Sequence, residues 1–178
     1  MAAQPLETPT RRPGGDTEVR LREPVPEDGP ALWRIARDSR VLDVNSPYSY
    51  SLWCRDFAAT SVVAEDDAGP CGFVTGYVRP DAPGTFFVWQ VAVAETHRGR
   101  GLARRMLDRL GARLGGRGHR FMEATVTPGN TASTAMFSSF ARDHGCDLRR
   151  TPLFGAPHLP EGHEPEVLFR IGPLPAAR

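Results

Sequence analysis

The stretch from Trp89 to Leu107 constrains the fold more than any other part of the chain. A long apolar run, Phe86 to Val93, reads as a buried strand. It ends in a short loop holding Arg98, Gly99, Arg100 and Gly101. From Leu102 to Leu114 apolar residues recur at 103, 106, 107, 110 and 114, with arginines between them. That spacing predicts an amphipathic helix. A strand, a tight turn and a helix in this order place the free N–H groups of a helix start beside a bare glycine backbone. The helix dipole adds positive potential there. Together they make a cradle for a phosphate or pyrophosphate. An ordinary strand-to-helix turn with solvated arginines satisfies the same spacing.

The other elements follow from periodicity and punctuation. Val19 to Glu23 alternates like a short strand, and Pro24 to Pro30 turns into a helix carrying Leu32, Ile35 and Ala36. Val41 to Tyr50 is less regular, and Trp53 and Phe57 suggest a second short helix. Thr60 to Glu65 and Cys71 to Val78 form a hairpin about the turn at residues 66–70. Phe121 to Thr127 is a strand, and Asn130 to Arg142 is a helix with Ala132, Ala135, Met136 and Phe140 inward. Leu148 opens a further strand, residues 152–165 form a proline-rich loop, and Val167 to Ile171 closes with a final strand. The order β-α-α-β-β-β-α-β-α-β-β predicts an α/β (α+β) fold, a mixed sheet with helices on both faces. Residues 1–17 read as a flexible tail, 18–173 as one domain and 174–178 as a C-terminal tail.

Composition narrows the chemistry. All 22 basic residues are Arg, and there is no Lys. Schiff-base lysine chemistry and a P-loop are therefore excluded. A net charge of +1 gives no reason to expect a nucleic-acid partner. No apolar run is long enough for a membrane span, and the N-terminus lacks the apolar core of a secretory signal. Three isolated cysteines argue against a disulfide framework or a zinc site and fit a cytoplasmic setting. Eight arginines and one acid, Asp108, fall between positions 98 and 120, so this region suits an anionic ligand.

Several polar residues stand out against apolar surroundings. Glu123 interrupts the strand Phe121 to Thr127; either it faces solvent on an edge or it lies in a cleft, where a ligand ammonium would serve as partner. The cleft is favoured because this strand follows the anion-binding helix. Asp43 is equally a turn residue or a pocket residue. Of Tyr48 and Tyr50, one is core and one a pocket wall. Trp89 precedes Val91 by two and is expected on the same face, as sheet core or as pocket wall. His163 and Glu166 sit where the last loop enters the last strand; their spacing is too loose for a metal site, and no metal is expected.

The motif Arg98-Gly-Arg-Gly101-Leu-Ala103 resembles the acetyl-CoA binding motif of the GCN5-related N-acetyltransferase (GNAT) superfamily. Val91-Ala-Val93 resembles its splayed strand, and Asn130 with its helix resembles the second cofactor element. This resemblance spans about residues 19 to 151. It implies the GNAT acyl-CoA N-acyltransferase fold, a mostly antiparallel twisted sheet splayed between its central strands. It also implies acetyl-CoA as co-substrate, bound by Val91, Ala92, Val93, Arg98, Gly99, Arg100, Gly101, Leu102, Ala103, Asn130, Ser133 and Phe137. One departure matters: many members carry a tyrosine acid where this chain has Phe137, so Ser133, water or no group at all protonates the leaving thiolate.

Blocks outside that motif, among them Val41 to Tyr50, Trp53 to Phe57, Gly72 to Tyr77 and His163 to Pro173, are similar to one branch of the superfamily, enzymes that acetylate a small diamino acid. This resemblance spans about residues 19 to 173. It implies a diamine substrate bound by Asp43, Tyr48, Trp89, Glu123, His163 and Glu166, with Glu123 first and Asp43 second as general base, and a homodimer. An N–H near Val91 would stabilise the oxyanion, and the cysteines would be bystanders. An acetyltransferase of another small amine and a non-catalytic CoA-binding module are the alternatives.

Overall fold

The computed structural model describes residues 18–175. The principal elements are β1 (Arg20–Arg22), α1 (Gly29–Ser39), α2 (Pro47–Asp56), β2 (Val62–Asp66), β3 (Gly69–Val78), β4 (Thr85–Val93), α3 (Leu102–Gly116), β5 (Phe121–Val126), α4 (Thr131–Asp143), β6 (Asp147–Phe154) and β7 (Glu166–Gly172). Their order is the one that periodicity predicts. The main difference is α2, which starts at Pro47 inside the stretch expected to be irregular. Ser46 caps it by accepting the Ser49 N–H, and Pro47 fills the first helical position, where no N–H is needed.

The seven strands form one sheet in the order β1-β2-β3-β4-β5-β7-β6. Every neighbouring pair is antiparallel except β4 with β5. That parallel pair holds only from Thr85–Phe121 to Val88–Ala124. Beyond it β4 runs on to Val93 while β5 turns to β7, ending at Val126 opposite Val167. The two central strands therefore diverge, and the sheet opens into the expected splay. Among the described residues, the edge of β4 that faces β5 has no strand partner past Val88.

A second irregularity lies at the same place. Thr75 pairs with Gln90, but the next residue, Gly76, pairs with Val88. Trp89 is the extra residue of a β-bulge, and a bulge reverses the in–out alternation that follows it.

Alternation along β2 and β3 supplies both faces of the sheet. Val62, Ala64 and Val74 join Met106, Leu107, Leu110, Leu114, Phe137 and Phe140 beneath α3 and α4. Val63 and Phe73 join Leu32, Ile35, Ala36, Tyr50 and Cys54 beneath α1 and α2. Each fully buried apolar side chain contributes roughly 1.5–3 kcal/mol relative to exposure, so these two layers hold the splay in place. Leu174, expected to begin a tail, belongs to the first core at 3% exposure, and its N–H donates to the Arg120 carbonyl at 2.7 Å. The tail expected at residues 1–17 lies outside the described residues. Among the described residues no helix is long and apolar enough to cross a membrane.

Candidate active site

A cavity of about 480 Å³ lies where β4 leaves β5. Val91, Ala92 and Val93 form its floor, Arg98, Gly99, Gly101, Leu102 and Ala103 one end, and Asn130 and Ser133 the opposite wall. Ser39, Val41 and Leu42 close it from the end of α1. Gly99 and Gly101 have φ of 75° and 68°, in the left-handed region that side chains with a Cβ disfavour. Gly101 is the N-cap of α3 and has no side chain to cap it. The first N–H groups of a fifteen-residue helix thus face the cavity unscreened. Opposite, Asn130 caps α4 by accepting the Ser133 N–H at 3.0 Å. The donor set, with no Cβ in the way at either glycine, fits a pyrophosphate and the extended arm attached to it.

The bulge separates this cavity from a second, polar region. Val91 and Val93 pack toward α3, whereas Ala92 belongs to the core beneath α1 and α2. Trp89 stacks on Trp53 of α2, with ring centroids 5.8 Å apart. Gln90 accepts from the Tyr50 hydroxyl at 3.1 Å and donates to the Asp43 carbonyl at 2.8 Å. Trp89 and Gln90 therefore both lie on the α2 side, and Trp89 does not share the face of Val91 as strict alternation predicts. Of the two tyrosines, Tyr50 is buried core and Tyr48 is exposed, 69% of its surface being accessible.

Asp43, between α1 and α2, and His163, between β6 and β7, come together outside the cavity lining, with Glu166 at the start of β7 near enough to add charge; the Asp43 side chain is almost fully exposed. His163 Nε2 stands 3.5 Å from Asp43 Oδ2, and His163 Nδ1 stands 2.7 Å from the Glu164 carbonyl. A carbonyl only accepts, so Nδ1 carries the proton. In the neutral imidazole Nε2 is then left with its lone pair toward Asp43. The Glu164 carbonyl, then Asp43, with Glu166 adding charge, raise the His163 pKa above the usual histidine value. Glu164 also accepts the Gly129 N–H at 3.1 Å, which docks this loop on the β5–α4 connection.

Four expectations change. Glu123 is 2% exposed, but its partners are not a ligand: Arg79 donates to one carboxylate oxygen at 3.0 Å and Arg170 to the other. It lies opposite Phe87, in the paired part of β4 and β5 rather than at the opening. With a guanidinium group on each oxygen, its negative charge is balanced within the protein and does not require a substrate ammonium. Phe137 is buried against Phe169, with ring centroids 6.2 Å apart, and does not line the cavity. Neither does Arg100. Finally, the arginines clustered in sequence are dispersed in space, because a fifteen-residue helix is about 22 Å long. Arg98 stays at the cradle, donating to the Val93 carbonyl at 3.2 Å. Arg113 and Arg117 instead bond carbonyls of Ser61 and Ala59 at the far end of α3.

The cysteines are unfit as nucleophiles. Burial pushes the Cys54 thiol up to about 12, and it raises Cys71 and Cys146 as well, so none supplies a thiolate at neutral pH. Sequence reasoning missed Gln90, Thr75 and Trp53, which meet beside the bulge. No periodicity rule marks a bulge in advance, and these residues read as ordinary strand and helix positions. It also missed His97, which lines the cavity and contacts Asp66 at 3.2 Å, tying the cradle loop to the β2–β3 hairpin.

The splayed mixed sheet, with its glycine cradle facing the splay, has the architecture of an acyl-CoA-dependent N-acyltransferase. The model of the Acetyltransferase (GNAT) family matches residues 29–141, and the chain belongs to that family. Among its relatives, the L-2,4-diaminobutyric acid acetyltransferase of Streptomyces coelicolor is 57% identical over 162 residues, covering 89% of this chain and 95% of that protein. The enzyme of the same name from Nocardia farcinica is 46% identical over 98% of this chain and 97% of its own length. A solved structure of diaminobutyrate acetyltransferase EctA from Paenibacillus lautus, in complex with its substrate L-2,4-diaminobutyric acid and coenzyme A, superposes with a TM-score of 0.83. It is 42% identical, over 88% of this chain and 96% of that one.

Proposed function

We propose that this protein transfers the acetyl group of acetyl-CoA to the γ-amine of L-2,4-diaminobutyrate, a step in making the compatible solute ectoine. The observation that carries this reading is the near full-length similarity to enzymes of that name, 57% identical in the case of Streptomyces coelicolor. The site agrees chemically. Cavity and cradle suit the arm and phosphates of CoA, while Asp43, His163 and Glu166 offer an acidic rim to a substrate with two ammonium groups and one carboxylate.

Acetyl-CoA supplies the activated thioester; the chain supplies orientation and proton transfer. A primary ammonium has a pKa of about 10 and must lose a proton before it attacks. Asp43 holds the ammonium, and His163 Nε2, whose lone pair points to the same place, takes the proton. Glu166 adds negative charge beside them. The free β4 edge past Val88, near Val91, offers N–H groups to the carbonyl oxygen on which charge develops. Ser133 is the hydroxyl nearest the role that a tyrosine would fill at position 137. Transfer is direct, in a ternary complex, in a cytoplasmic homodimer.

The test is incubation with acetyl-CoA and diaminobutyrate, following free thiol and identifying the product by mass and NMR. Thiol release and N4-acetyl-L-2,4-diaminobutyrate are expected, with intersecting double-reciprocal lines. Parallel lines, or release only with another amine, would overturn the mechanism or the substrate respectively. For the proton acceptor, kcat/KM for the amine should rise with pH through a value above that of ordinary histidine. His163→Gln should abolish that rise.

A further inference from the structure

We infer that His97 and Asp66 form a positioning pair that holds the glycine cradle in its anion-binding shape, so that Asp66, at the tip of the β2–β3 hairpin, sets acetyl-CoA affinity from outside the cavity. The inference concerns the acetyl-CoA arm of the site and holds for whichever amine accepts the acetyl group.

The cradle needs support from elsewhere in the fold. Gly99 and Gly101 both sit in the left-handed region, and a Cβ added to either would meet nothing within 4 Å. Neither glycine is therefore braced on that side, and glycine backbone leaves such a shape readily. Most hydrogen bonds of residues 94–101 are local. The His97 N–H donates to the Ala94 carbonyl at 2.8 Å, the Arg98 N–H to the Glu95 carbonyl at 3.2 Å, and Arg98 Nε to the Val93 carbonyl at 3.2 Å. Among the described residues, two ties reach a distant segment. One is the Ala94 N–H to the Cys71 carbonyl at 2.8 Å, at the root of the loop where β4 ends. The other is His97 to Asp66, two residues before Gly99.

The chemistry of this second tie suits a brace. The two side chains are 13% and 11% accessible, so solvent and salt screen the contact little. A carboxylate only accepts, so His97 Nε2 donates to Asp66 Oδ2 at 3.2 Å. In the neutral ring Nδ1 then accepts from the Thr96 hydroxyl at 2.9 Å. Asp66 Oδ1 accepts the Ala68 N–H at 2.8 Å. Every polar atom of the pair is thus committed within the protein, as a support requires and a proton carrier does not. Asp66 ends β2, which is paired on both sides, by β1 and by β3. The pair therefore fixes the loop to the sheet. A cradle that holds its shape for only a fraction of the time binds with its affinity reduced by that fraction.

Calorimetry with CoA on the whole chain tests this. His97→Phe keeps a ring and removes the donor. Asp66→Ala removes the acceptor at a residue that does not line the cavity. Each should weaken CoA about tenfold, and the two together no more than either alone. His97→Gln carries an amide N–H toward the same carboxylate and should restore most of the affinity. Both His97 variants leave the bond from Ala68 to Asp66 in place, so their difference reads the tie even where Asp66→Ala loosens the hairpin turn. A folded Asp66→Ala protein that binds CoA as the wild type does would overturn the inference, because His97 would then act by touching the cofactor itself. Losses that add in the double variant, or a His97→Gln protein as weak as His97→Phe, would overturn it too.

Discussion

At the scale of single residues, Glu123 shows how an identity can be informative and its role still be misread. A carboxylate in an apolar strand demands a partner, and the sequence makes that demand visible. Which partner answers it depends on residues 44 and 47 positions away, Arg79 and Arg170, brought in by the end of β3 and by β7. Glu123→Gln should therefore act on stability rather than on chemistry. Losing the charge leaves Arg79 with Asp81 alone and removes the carboxylate partner of Arg170, at a cost of about 1–3 kcal/mol, moderated because each arginine is about one-third exposed. A lower urea midpoint with near-normal turnover at saturating substrate is expected; a large loss of turnover with unchanged stability would restore the catalytic role. Ser133→Ala should lower kcat less than tenfold, because a thiolate of pKa about 8.5 leaves readily.

At the scale of elements, the strand–loop–helix unit around Arg98 was legible because it is local. Glycines, the N-terminus of α3 and the apolar period lie within twenty residues, so no distant contact is needed to see them. Gly101→Val tests the unit. The φ of 68° is strained for valine, and the new side chain would occupy open space at the cavity proposed for the CoA phosphates. A rise of about tenfold or more in KM for acetyl-CoA is expected, with the diaminobutyrate KM little changed. The bulge at Trp89 was not legible, since one inserted residue leaves the composition of an apolar strand as it is. It nevertheless divides β4 into a residue pair facing α2 and a pair, Val91 and Val93, packed toward α3.

At the scale of the whole molecule, stability resides in the two layers that grip the sheet and in a few buried charges. Met106, fully buried beneath β3, should cost about 2–5 kcal/mol when changed to Ala. A second prediction concerns acid. Asp28, 6% exposed, ties the start of α1 to β1 by accepting two bonds from Arg22. Burial pushes its pKa up, but Arg22 and the Val25 N–H outweigh it, and the group ends below its ordinary value of 3.8. A depressed carboxylate stabilises the fold above its unfolded pKa and loses that contribution as pH falls through the folded one. Stability should therefore decline below about pH 4, and Asp28→Asn should flatten that decline in a urea titration.

The sequence by itself determined the element order, the cradle at Arg98 to Gly101 and the family these imply, because period, turn residues and motif are short-range properties of the chain. The tertiary structure alone decided that Glu123 is satisfied by arginines, that Phe137 is core and that the arginine run is spread along a helix. It also brought Thr75, Trp53 and Gln90 together at one slot. Those outcomes depend on register, on a one-residue bulge and on where β4 parts from β5, and each is set by packing between segments distant in the chain.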